Sequence, residues 1–129
     1  MLPTENYAAD AMRTIDDPLK AAHAWNADRV TVGRSPISIG MAIVTGRIIF
    51  GAVGDDTRLE YTVIGDPVNL CAKLEKHNRA AHTRALTTCD AVDLAVRQGY
   101  VPPTVRERRE AESIDGVAVG VDLVVLAKR

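Results

Sequence analysis

Between residues 7 and 29 the apolar side chains Ala8, Met12, Ile15, Leu19, Ala22 and Trp25 recur at three- and four-residue spacings, the period of a helix with one buried stripe. Pro18 falls inside that stripe, so the pattern predicts a kink or two separate pieces, with Asp16 or Asp17 able to cap the second. Asn26 to Ser35 reads as a charged loop. The period then drops to two: Ile37, Ile39, Met41 and Ile43 alternate with Ser38, Gly40, Ala42 and Val44, the signature of a strand. Thr45-Gly46 reads as a tight turn and Arg47 to Val53 as the returning strand of a hairpin. The outward side of the first strand is small rather than charged, which predicts close cover by a helix or a second subunit.

Gly54-Asp55-Asp56-Thr57 is a polar loop, and Glu60 to Ile64 a short strand. Asp66-Pro67 signals a helix start, a capping carboxylate followed by proline at the first helical position. Val68, Cys71, Ala72 and Leu74 form the inward stripe of this helix, which frays in the basic KHNR segment. Ala85 to Thr88 reads as a strand, Asp90 to Arg97 as a short helix, Val101 to Asp115 as loop or edge, and Val117 to Ala127 as a strand. There is no repeat, low-complexity tract or interdomain linker. The order of elements predicts one α+β domain over residues 1–129, a sandwich with helices covering one face of a mostly antiparallel sheet. The helical pattern begins directly after MLPTEN, which fits a natural start or a piece of a longer chain equally well.

Composition narrows the function. The chain has 129 residues with a net charge of −1, and its basic and acidic residues are interspersed. No electrostatic footprint for nucleic acid follows from that pattern. Aromatic residues make up 4%, and the stretch GRIIFGAVG, which alone suggests an RNA-binding sheet, holds the single phenylalanine, Phe50. No apolar run has the length of a membrane span. The two cysteines, Cys71 and Cys89, provide no disulfide framework and agree with a cytoplasmic setting.

Most chemistry-bearing residues have an ordinary reading. Gly40, Gly46, Gly51 and Gly54 match neither a P-loop nor a dinucleotide fingerprint, so turns and close packing explain them better. His77 and His82 lie between Cys71 and Cys89, but the spacings fit no zinc pattern, and no metal site is expected there. Asp16-Asp17 and Asp55-Asp56 read as turn or cap residues. Asn69 and Lys73 are different. Spaced i to i+4, they share one helix face, and Thr62 lies near the end of the strand that feeds the helix. Strand, glycine corner and capped helix form a rigid way to converge three polar groups on a ligand.

The phrase GAVGDDTRLEYTVIGDPVNLCAKLE resembles the catalytic domain of class III adenylate and guanylate cyclases. Gly51, Val53, Gly54, Arg58, Tyr61, Thr62, Val63, Ile64, Gly65, Asp66, Val68, Asn69, Ala72, Leu74 and Glu75 carry the match. The preceding ISIGMAIVTG is similar to the family's strand and turn. The likeness is strong over residues 37–75 and weak after 90. It implies a ferredoxin-like sandwich and cyclisation of a nucleoside triphosphate, with pyrophosphate released, at sites shared by two head-to-tail domains. Two aspartates of one partner would hold two divalent cations, Mg²⁺ or Mn²⁺. By position, Asn69 would orient the ribose, and Lys73 would stand where an arginine stabilises the reacting phosphate. Thr62 occupies the base-selecting position, where threonine resembles adenylate cyclases and implies ATP. A second cyclase domain, in a homodimer, is the implied partner.

The chain departs from this pattern in three places. The metal-binding aspartates belong to segments that precede the matched region, so about half an active site is expected here and no turnover by the chain alone. Lys73 keeps the charge of arginine without its two-pronged contact to phosphate oxygens. Asp115 stands before Gly116 where a loose alignment places a basic residue that contacts the polyphosphate. Two readings stay open: an adenylate cyclase portion, or a non-catalytic module that dimerises or binds nucleotide.

Overall fold

A computed structural model describes residues 5–129. Helix α1 (Tyr7–Thr31) leads to strand β1 (Met41–Ile43), then to β2 (Ile49–Asp55) and β3 (Arg58–Ile64). Helix α2 (Asp66–Ala81), strand β4 (Thr83–Thr88), helix α3 (Cys89–Arg97) and strands β5 (Arg108–Glu112) and β6 (Val121–Lys128) complete the chain. Four strands form one sheet in the order β1-β4-β6-β5, while β2 and β3 pair only with each other. The sheet is mixed: β1 runs parallel to β4, and the β4–β6 and β6–β5 pairs are antiparallel.

Alternation along the strands builds two cores. Ala85, Val124 and Leu126 meet Met12 and Ile15 of α1 and Ala91, Val92 and Ala95 of α3. Leu86, Leu123 and Val125 project the other way, onto Leu74 of α2 and Ile114. The α+β class and the mostly antiparallel sheet match the sequence reading, but helices occupy both faces rather than one. The small outward side of β1 is the reason: Ala42 and Val44 pack into the α2 cluster, and Met41 and Ile43 into the other.

Pro18 does not split α1. Its ring removes one N–H donor, and the carbonyl left without that bond belongs to Thr14, an exposed residue. Asp16 therefore caps nothing and lies 3.6 Å from Arg106. The helix starts under a borrowed cap, since Gln98 Oε1 accepts from the backbone N–H groups of Ala8 at 2.8 Å and Ala9 at 3.2 Å. Its end also runs past the expected loop start, and Asn26 binds the Ile37 backbone through both its amide groups at 2.8 Å.

The hairpin is displaced from its expected place. After β1 the chain passes beneath the start of α2, where a Cβ on Gly46 would stand 2.4 Å from Pro67 Cγ. The chain does not fold straight back there: β1 pairs with β4, and β2 turns back into β3 at Asp55–Arg58. The Asp55 carboxylate accepts from Thr57 N, Thr57 Oγ1 and Arg58 N at 2.7–3.0 Å, closing this turn. These bonds hold its pKa below the ordinary carboxylate value.

Candidate functional site

The corner between β3 and α2 sets the site. Gly65 is the N-cap of α2, its carbonyl accepting from Val68 N and Asn69 N. Asp66 makes no side-chain cap bond; it sits in the first turn, where its charge suits the positive end of the helix. Pro67 fixes the first turn, as the sequence suggested.

Rotation of α2 about its axis is decided by two residues on its inner face. Leu74 is fully buried, and Asn78 is 2% exposed. Asn78 Nδ2 donates to Met41 O at 2.9 Å and Glu75 O at 3.1 Å, and its Oδ1 accepts from Thr83 Oγ1 at 2.8 Å. Asn78 thus ties the helix to β1 and to the start of β4. The sequence reading missed it and ended the helix early, although its place four residues after Leu74 puts it on the buried stripe. Ala72, expected inside, is exposed, while Cys71 is half-buried with its Sγ 3.5 Å from Ala42 O.

With that face turned inward, Asn69 and Lys73 border an open cleft of about 600 Å³ with Thr45, Pro67, Gly116 and Val119. Asn69 is exposed and Lys73 partly so. Lys73 Nζ donates to the Gly116 carbonyl. Gly116 has a positive φ of 79° in a turn closed by Val117 N on Ile114 O at 3.0 Å. The fold therefore sets the Asp115-Gly116 pair, which sequence reasoning aligned only loosely, against the helix bearing Lys73. Thr62 is placed apart. It is exposed on β3 opposite Gly51 and does not line this cleft.

The ribbon that carries Thr62 is apolar and open on both sides. Tyr61 is 78% exposed, Ile49 72% and Leu59 71%, and the Phe50 and Tyr61 rings stack 6.3 Å apart. These apolar side chains are left uncovered in the single chain.

Burial raises the thiol pKa of both Cys71 and Cys89 above its ordinary value. Among the described residues no cluster of three or more His, Cys, Asp or Glu side chains is arranged to hold a metal ion. The described residues thus offer no ready-made site for Mg²⁺ or Mn²⁺. No helix among the described residues is long and apolar enough to cross a membrane.

No family model matches the chain. Among curated proteins, an uncharacterized protein of Mycobacterium tuberculosis (strain ATCC 25618 / H37Rv) is 39% identical over 80 residues, covering 62% of this chain and 15% of that protein. A second from the same strain is 36% identical over 83 residues, covering 64% and 15%. The match thus spans only a small part of these relatives. Among solved structures, the guanylyl cyclase Cya2 superposes with a TM-score of 0.64 at 23% identity, covering 93% of this chain and 59% of that one. The adenylyl cyclase CyaB from P. aeruginosa gives 0.59 at 27% identity, covering 92% and 55%. The chain has the α+β fold of a nucleotide-cyclase-like domain.

Proposed function

We propose that the chain is a portion of an adenylate cyclase catalytic domain, contributing the nucleotide-orienting residues to a site completed by a second copy. The observation that carries this reading is the shared cleft of Asn69 and Lys73 on a helix whose rotation is fixed by buried Leu74 and Asn78. The reaction is in-line attack by the ribose 3′-oxygen on the α-phosphorus of ATP, giving 3′,5′-cyclic AMP and pyrophosphate. Positioning and charge neutralisation supply most of such catalysis. The Asn69 amide offers donors and an acceptor to a ribose hydroxyl and ring oxygen. Lys73 offers a mobile positive charge to the phosphate, once its Nζ exchanges the Gly116 carbonyl for a phosphate oxygen. Thr62, exposed on the ribbon, offers a hydroxyl to the adenine edge. The Mg²⁺ or Mn²⁺ required by this reading would be held by residues other than those described.

A homodimer follows from the same reading. Ile49, Leu59 and Tyr61 leave an apolar ribbon without a partner in the single chain, and a second copy would cover it.

One contact favours the non-catalytic alternative, a dimerising or nucleotide-binding module. Lys73 is already held by the Gly116 carbonyl, with the Asp115 carboxylate beside it on the same turn. The test is cyclic AMP formation from ATP, against GTP, with Mn²⁺ or Mg²⁺, by the full native polypeptide that carries this segment. Cyclic AMP that falls about a hundredfold in Asn69→Ala supports the enzyme reading. ATP binding without product in the native protein supports the module.

A further inference from the structure

Beyond Lys73, the same helix lines a second concavity. About 540 Å³ of open space lies between the C-terminal half of α2 and the 115–116 turn, bordered by Lys73, Lys76, His77, Arg79 and Asp115. Residues 73, 76, 77 and 80 fall at i, i+3, i+4 and i+7, so a single stripe of the helix faces this space. Two lysines and an arginine stand here against the carboxylate of Asp115.

These cations are not neutralised as others on the surface are. Arg108 pairs with Asp93 at 2.9 Å, and Glu107 takes both Arg109 at 2.9 Å and Lys128 at 3.0 Å. Among the described residues, the Lys76 and Arg79 side chains have neither an ion pair nor a hydrogen bond. His77, which borders the same space, has its buried Nε2 3.7 Å from Glu112 Oε2, a second carboxylate beside the cations.

We propose that this basic lobe of α2 binds a polyphosphate, with Lys73, Lys76 and Arg79 contacting successive phosphate groups. Six residues separate Lys73 from Arg79, roughly 9 Å along the helix axis, a span longer than one phosphate or carboxylate. The negative end of the helix dipole opposes an anion here, but its charge of about half a unit is smaller than that of three full cations. Lys73 and Gly116 border this lobe and the Asn69 cleft alike, so the two concavities adjoin across the Lys73–Gly116 contact. If the nucleotide reading holds, a ribose at Asn69 sends its phosphate tail over Lys73 into this lobe, and Lys76 and Arg79 supply the charge that Asp115 does not. The same chemistry would equally take free inorganic polyphosphate.

Calorimetric titration of the chain with sodium tripolyphosphate, and separately with ATP, tests the inference. Tripolyphosphate is expected to bind, more weakly as salt rises, and to lose about tenfold or more in affinity in Lys76→Ala/Arg79→Ala. Both positions are exposed on a helix and alanine favours helix, so circular dichroism should show the double variant folded. Asn69→Ala should leave tripolyphosphate binding unchanged while weakening ATP. If ATP binds no more tightly than tripolyphosphate and ignores Asn69→Ala, the lobe takes a free polyphosphate and the nucleotide reading falls alone. Absence of tripolyphosphate binding, or binding that the double variant leaves intact, overturns the inference.

Discussion

Asn78→Ala should destabilise the protein more than any other polar substitution on α2. The side chain makes three hydrogen bonds, two donated to backbone carbonyls of Met41 and Glu75 and one accepted from Thr83 Oγ1. At about 1 kcal/mol each, their removal costs about 3 kcal/mol, and the Thr83 hydroxyl, itself buried, loses its partner. Alanine returns roughly 0.6 kcal/mol of helix propensity. A net loss of about 2–3 kcal/mol follows, read as a shift in the urea midpoint at constant m-value or a fall in Tm of about 10 °C. Asn78→Asp sharpens the test. It keeps the acceptor for Thr83 but sets a buried carboxylate against two carbonyl oxygens, so it should be worse than alanine. A cycle with Thr83→Val should show a coupling of at least about 0.5 kcal/mol, because the two residues share one bond. A loss below about 1 kcal/mol for alanine, or an aspartate variant milder than alanine, would refute the claim that this residue fixes the helix.

Other outcomes follow from the same structure. Leu74→Ala removes a fully buried side chain between Leu86 and Leu123 and should cost about 3 kcal/mol in chemical denaturation. Phe50→Ser/Tyr61→Ser removes one exposed ring pair and should cost the single chain only about 1 kcal/mol, yet lower the molecular mass measured by sedimentation if the ribbon joins two copies. Asp55 has a folded pKa below its ordinary value, so its stabilisation of the β2–β3 turn is complete above that ordinary value and is lost as pH falls through the depressed one; amide shifts of Thr57 and Arg58 should titrate with that low midpoint and lose the transition in Asp55→Asn.

Local chemistry was legible wherever short-range rules decide the outcome. The Asp66-Pro67 start of α2, the strand before it, the α3 segment and the last strand all follow from propensity and period, with boundaries off by a few residues. Asp66 itself was misread because Gly65, at a positive φ of 155° that favours glycine, takes the N-cap place one residue earlier. Partnering was not legible. Nothing in the alternation of Ile37 to Val44 says that β1 pairs in parallel with β4, since that pairing spans more than forty residues. The unbroken α1 depended on where Pro18 falls around the helix. The proline lies on the exposed side with Thr14, a placement that requires the rotation of the helix to be known.

The candidate site was legible in the same uneven way. An i to i+4 spacing places Asn69 and Lys73 on one face, and the structure puts both on one cleft. That spacing carries no information about the turn opposite, so the Gly116 carbonyl on Lys73 was unforeseen. Thr62 was grouped with them by its nearness in sequence. In space it lies on a separate ribbon, away from the cleft, and it reaches a common ligand only if another copy brings that ligand across.

The most direct measurement is the footprint of ATP on the amide NMR spectrum of the protein, with and without Mn²⁺-free Mg²⁺. The nucleotide reading expects saturable shifts centred on Asn69, Lys73 and Gly116, with Thr62 joining only under conditions where the protein dimerises, and their loss in Asn69→Ala. Shifts confined to other surfaces, such as the groove of about 500 Å³ beside Pro102 and Pro103, or no saturable shift in monomer or dimer, would contradict it.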